Sequence, residues 1–266
     1  MSAHVPAPTV IEPSSVHTHT VIFLHGRGEE LSEQLFDEDS SDSRSLRDHF
    51  PGFRWVFPTS PSCYNEVFQE DMHEWFQIAS LTDPALDDAS QIPGLSFSVN
   101  FINNLIQDEL RRVPASRMFL GGMSMGCATM ATALLAGKFR FAGFIGLCGW
   151  LPFRKQLQSL AKRSNSSRCE ELADFYQNTL GTFMDSEDHS SNRSSPGTPV
   201  FLGHSVDDGV VDVCLGRELR DTLEGLGMNT TWKEYEDAGH WIKEPEGVDD
   251  IVLFFHEQMK EGIADS

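Results

Sequence analysis

The apolar positions of this chain fall into short runs separated by polar turns. Residues 21–24 (VIFL) form a four-residue apolar run ending at His25-Gly26, the pattern of a buried strand meeting a turn. Residues 54–57 (RWVF) predict a second strand, stopped by Pro58 and Pro61. Residues 118–120, 141–147, 199–202 and 230–235 predict further strands. Between them the period changes. Phe97, Phe101, Ile102, Leu105 and Ile106 recur at three- and four-residue spacing, which predicts a helix over 96–112 with Ser96 or Ser98 as cap and Pro114 as stop. Small residues over 127–135, and residues 213–224 and 248–260, predict three more helices, and Leu31, Leu35 and Phe36 suggest a short one. Residues 1–16, rich in Pro and Ser, predict a loose lead-in, and 62–95 a long irregular excursion.

Strands alternating with helices imply one α/β domain over 1–266, with a mainly parallel sheet covered on both faces. Reactive groups in such folds gather at the carboxyl ends of the strands. Residues 185–197 (DSEDHSSNRSSPG) form a low-complexity polar patch that predicts a disordered loop.

Composition narrows the partners. Forty acidic against 20 basic residues give a net charge of −20, which disfavours nucleic acid and anionic membranes. No run approaches the roughly 18 apolar residues of a membrane span, so stable membrane insertion is not expected. The first 15 residues show neither a basic n-region nor an apolar h-region. Five scattered cysteines form no metal-type pair and suit a reduced, cytoplasmic protein. Neither a metal nor an organic cofactor is expected.

Chemistry enters at Gly122-Met123-Ser124-Met125-Gly126, between a predicted strand and a predicted helix. Glycine on either side relieves a turn too tight for side chains, and the helix start favours an oxyanion near Ser124. A serine needs a base, and the base an orienting acid. His240 follows the predicted strand at 230–235, and Asp207 and Asp208 follow the one at 199–202. The order Ser, Asp, His is the one this architecture uses, and either aspartate fits it. His25-Gly26-Arg27-Gly28 follows the first predicted strand. Its turn can place the Arg27 N–H beside that of Met125 as an oxyanion hole.

The segments LHGRGEE, GGMSMG, LCGWLPF, GHSVDDGVV and DAGHW together resemble the phospholipase/carboxylesterase group that includes the acyl-protein thioesterases. The resemblance runs from about Val21 to the last helix. It implies the α/β-hydrolase fold, with Ser124 as nucleophile, Asp208 rather than Asp207 as acid, and His240 as base. It also aligns Trp75-Phe76 with a family Trp-Phe segment. Three positions depart from the family pattern: Arg27 where an apolar residue is usual, Glu29 for Asp, and Met125 for Gln; residues 150–198 also match it poorly, which implies a divergent insertion there. The implied substrate is a small carboxylic ester or acyl thioester, or an acylated protein or carrier. Trp75, Trp150 and Trp241, beside the motifs, are the candidate substrate-binding residues, with Met125 flanking the nucleophile. An acyltransferase passing the acyl group to an alcohol, with lactone formation as one form, and a non-catalytic binder on the same scaffold are the alternatives.

Overall fold

The computed structural model describes residues 6–28, 39–65, 69–80, 82–84, 86–163, 168–181 and 197–264. In chain order its elements are β1 (Thr9–Ile11), β2 (His19–Leu24), α1 (Leu46–His49), β3 (Phe53–Phe57), β4 (Ser62–Asn65), β5 (Glu70–His73) and α2 (Asp88–Leu110). Then come β6 (Met118–Met123), α3 (Met125–Ala136), β7 (Gly143–Leu147), α4 (Arg154–Ala161), α5 (Arg168–Leu180), β8 (Val200–Ser205), α6 (Val213–Gly225), β9 (Thr230–Tyr235) and α7 (Glu246–Ala264).

Seven strands form one sheet in the order β1-β3-β2-β6-β7-β8-β9. All neighbours run parallel except β1, which pairs antiparallel with β3. The inner strands are mostly apolar because both faces are covered, whereas the edge strand β9 is polar and partly exposed. In β2, Ile22 and Leu24 pack into one core cluster, while Val21 and Phe23 pack into the other. The first cluster holds α2, α3 and α5; the second holds α7 and a group of rings at Phe50, Phe53, Trp55, Phe119 and Phe255. Helix α3 is buried at every position from 125 to 135, so small residues there let it lie between the sheet and its neighbours.

The chain order reverses at the sheet centre: β2 lies between β3 and β6. Such a switch point opens a crevice at the carboxyl ends of the strands, where ligands bind in open α/β sheets. The loops after β2 and β6 both enter it. Among the described residues, no helix is long and apolar enough to cross a membrane.

Three expectations need correction, and a fourth span gains detail. The lead-in contains edge strand β1, whose three residues are too few for periodicity to register. The excursion over 62–95 contains the β4–β5 hairpin and the start of α2. Helix α2 begins at Asp88 and continues through Pro93 and Gly94, residues that ordinarily break a helix. Gly94 is tolerated for contact: a Cβ there would lie 2.8 Å from the Phe76 Cα. The span 150–198 carries two helices, α4 and α5. The suggested helix at Leu31, Leu35 and Phe36, the departure at Glu29, and all but the last residue of the polar loop 185–197 lie outside the described residues.

Candidate active site

Ser124 joins β6 to α3 with φ 55° and ψ −123°, a conformation that L-residues avoid. Its surroundings explain both glycines. A Cβ on Gly122 would lie 2.5 Å from the Gly126 carbonyl carbon, and one on Gly126 would lie 2.4 Å from the His25 carbonyl oxygen. The Ser124 N–H donates to the Leu147 carbonyl at 2.8 Å, fixing the turn to β7.

Asp208 lies in the turn after β8, with its side chain fully buried. Its two oxygens receive four donors. Oδ1 accepts from the Val210 and Val211 N–H groups at 2.8 and 2.9 Å. Oδ2 accepts from His240 Nδ1 at 2.7 Å and lies 3.1 Å from His204 Nε2. Burial alone would push this carboxyl upward, but the bonds from His204, His240, Val211 and Val210 outweigh it and hold the group well below the usual carboxylate range. His240 is thus tied to Asp208, not Asp207. The Asp207 carboxylate accepts from Ser205 Oγ and from the Gly239 N–H, joining the two loops that carry the pair.

Ser124 and His240 line one cavity of about 160 Å³ with Gly26, Arg27, Ile78, Pro84, Met123, Met125, Trp150, Val210 and Val211. Met125 opens α3, where its N–H has no acceptor within the helix. The Arg27 loop is held from several sides. The Gly28 N–H donates to the His73 carbonyl at 2.7 Å, and Trp75 Nε1 donates to the His25 carbonyl at 2.9 Å. Ser60 donates its N–H to His25 Nε2 at 3.0 Å, so that nitrogen is bare and Nδ1–H faces the Gly26 carbonyl. Burial lowers the His25 pKa to about 4, keeping the ring neutral around pH 7. The Arg27 guanidinium is pulled down by burial, against the charges of Glu74 and Glu70.

Of the three candidate tryptophans, the structure brings only Trp150 into the cavity lining. Trp75 is 2% exposed and supports the loop from behind, because its indole N–H is committed to His25. Trp241 packs part-buried against the α7-side core cluster.

Sequence reasoning did not find His204 or Cys148. His204 precedes Asp208 by four residues, a spacing that could have flagged it. Cys148 Sγ, an Asp208 oxygen and a His240 ring nitrogen lie within 4.8 Å of one another, a spacing compatible with a cation. However, the four donors on Asp208 already occupy its acceptor sites. Burial first, and the Asp208 charge next, also push the Cys148 thiol well up, away from the thiolate a metal needs.

The sheet order, the strained serine turn and the cavity at the switch point define an α/β-hydrolase. The phospholipase/carboxylesterase family model matches residues 5–173, and the prolyl oligopeptidase family model matches 99–262. Acyl-protein thioesterase 1 of Yarrowia lipolytica is 28% identical over 96% of this chain and 99% of its own length. The crystal structure of Zea mays acyl-protein thioesterase 2 has 26% identity and a TM-score of 0.65, covering 94% of this chain and 98% of its own. Bacillus cereus carboxylesterase, at 14% identity and a TM-score of 0.60 over 97% of this chain and 96% of its own, shares the fold. The chain belongs to the phospholipase/carboxylesterase family, and it is an enzyme of the serine-hydrolase class.

Proposed function

We propose that this chain hydrolyses carboxylic esters and acyl thioesters through an acyl enzyme on Ser124. The observation that carries the reading is the buried Asp208–His240 bond of 2.7 Å beside a cavity that His240 shares with Ser124. With Asp208 accepting from Nδ1–H, the His240 Nε2 is left to take a proton. The Ser124 oxygen attacks the acyl carbon as its proton passes to Nε2. The carbonyl electron pair moves onto oxygen, facing the Arg27 and Met125 N–H groups. Collapse expels the alkoxide or thiolate, which takes the proton from His240. Water then repeats the sequence on the acyl-serine and releases the acid.

Substrate size follows from volume. A cavity of about 160 Å³ resembles the engineered ~150 Å³ cavity that takes one benzene. It seats the first several carbons of an acyl group, and a longer chain must leave through the mouth. The relatives' names point to acyl thioesters, acylated proteins included, as the substrate class. Those names are of hydrolases, which favours water as the acceptor.

The test is turnover of acyl esters and thioesters of increasing length by wild type and Ser124→Ala. The variant should lose at least ~10³-fold in kcat together with fluorophosphonate labelling. Undiminished turnover in Ser124→Ala would remove Ser124 from the mechanism.

A further inference from the structure

His204 lies on β8, 1% exposed, and is not among the residues lining the substrate cavity. Its Nε2 is 3.1 Å from Asp208 Oδ2 and 2.9 Å from the Val211 carbonyl oxygen. An ionised carboxylate and a carbonyl both only accept, so Nε2 must carry the hydrogen. The one Nε2–H donates to the Val211 carbonyl and at the same time faces Asp208 Oδ2 from inside the sheet, the oxygen to which His240 donates from the substrate side at 2.7 Å. The fold makes room for this ring. A Cβ at Gly216, in α6, would lie 2.3 Å from His204 Nδ1 and 2.9 Å from the Trp232 ring. A methyl group there would drive the imidazole off Asp208. The Val211 N–H that closes the Asp208 turn and the Val211 carbonyl that receives His204 belong to one residue, so turn and ring hold each other.

We propose that His204 is a positioning residue for the reaction: its Nε2–H shares Asp208 Oδ2 with His240, fixing that oxygen and drawing off part of its charge. This rests on the Ser124–His240–Asp208 reading above. The consequence has a definite sign. An oxygen with one donor fewer concentrates its charge on His240 and holds the imidazolium more firmly. A base held that way loses its proton at higher pH, so the acid limb of kcat/KM moves up. The other titratable groups around the pair are Cys148 after β7, Asp207 in the β8–α6 turn, and Asp212 at the start of α6, whose charge is felt by His204. The Cys148 thiol is also bonded to the Asp208 side chain, a contact that His204→Phe leaves in place, whereas the carboxylates of Asp207 and Asp212 have no hydrogen to donate.

The experiment compares His204→Phe, which keeps a ring without a donor, with His204→Gln, whose amide nitrogen reaches the place of Nε2. The Phe variant should lose about 10-fold in kcat with little change in KM, and its acid limb should rise by about 0.5–1 pH unit. His204→Gln should restore both toward wild type. A folded Phe variant with the wild-type limb would overturn the proposal. So would a Gln variant displaced as far as Phe, because shape alone would then explain the effect. If the Phe variant does not fold, ¹⁵N NMR of the wild-type imidazoles decides: a proton on His204 Nε2 supports the assignment and a bare Nε2 overturns it. Fluorophosphonate labelling of wild type separates the two layers. No label on Ser124 sinks the triad reading, whereas a labelled Ser124 with an unmoved limb in His204→Phe sinks only the role of His204.

Discussion

The Ser124 turn shows how closely residue identity is tied to backbone approach. Gly126 lies in the first turn of α3, where a Cβ would sit 2.4 Å from the His25 carbonyl oxygen and 2.5 Å from that of Leu24. Both obstacles are backbone, so neither can rotate aside. Gly126→Ala should therefore cost about 1–3 kcal/mol in stability and should push the Arg27 loop away from Met125. Losing oxyanion alignment should lower kcat by about 100-fold or more, with the fold intact by circular dichroism. Near-wild-type turnover would mean that the loop after β2 is no part of the oxyanion site. At this scale much of the candidate site was legible. Ser124, Asp208 and His240 each follow a readable strand, and two glycines mark the serine. His204 was less legible: only its spacing of four residues from Asp208 marks it in the sequence, and its role comes from its partners across space.

At the scale of elements, the strand starts need their own fastening, remote from the chemistry. Arg54 on β3 and Glu109 on α2 are almost fully buried, 6% and 4% exposed. Arg54 Nε donates to both Glu109 oxygens, at 3.2 and 3.1 Å. Thr20 on β2 is paired with Arg54 in the sheet and directs its hydroxyl to the same carboxylate. Breaking a buried pair typically costs about 3–5 kcal/mol when the survivor is left alone, and less here because Arg54 also pairs with Glu12. Glu109→Gln should lower the urea midpoint accordingly and leave kcat unchanged, since the pair lies at the opposite end of the strands from Ser124. A comparable loss in kcat would show that the two ends of the sheet are coupled. This clamp also explains part of what the pattern concealed. A helix start at 96 is what Pro93 and Gly94 dictate locally. Tertiary contact overrides them: Gly94 lets α2 press on Phe76, and Ser98 Oγ is bonded to the Trp75 carbonyl. The three-residue strand β1 escaped notice because its identity comes from pairing with β3, not from any period of its own.

Over the whole molecule, protonation and charge pull in opposite directions. Burial lowers His19 and His25 to about 4 from an ordinary 6.5. The unfolded chain therefore binds protons below about pH 6.5 that the folded chain refuses until about pH 4, so stability falls as pH drops through that window. The shift of 6.5 − 4 = 2.5 units at His25 is worth on the order of 3 kcal/mol. Asp208, held low, adds to the loss once the unfolded carboxylates begin to protonate, near pH 4. Against this, a chain of net charge −20 relieves its own repulsion as acid is added. Roughly 0.5 M salt screens that second effect. Thermal unfolding in such salt should then show Tm falling steadily from pH 7 to 4.5, and a flat profile would mean that His19 and His25 are not buried as described.

Backbone geometry at residue 124 carries a last implication. A side chain held at φ 55° and ψ −123° is retained against the preference of the local chain. Glycine would occupy that spot without protest, so Ser124→Gly should melt at a higher temperature than the native enzyme while being inert toward esters. The fold, left to its own interest, would be better off without the atom proposed to give it a use.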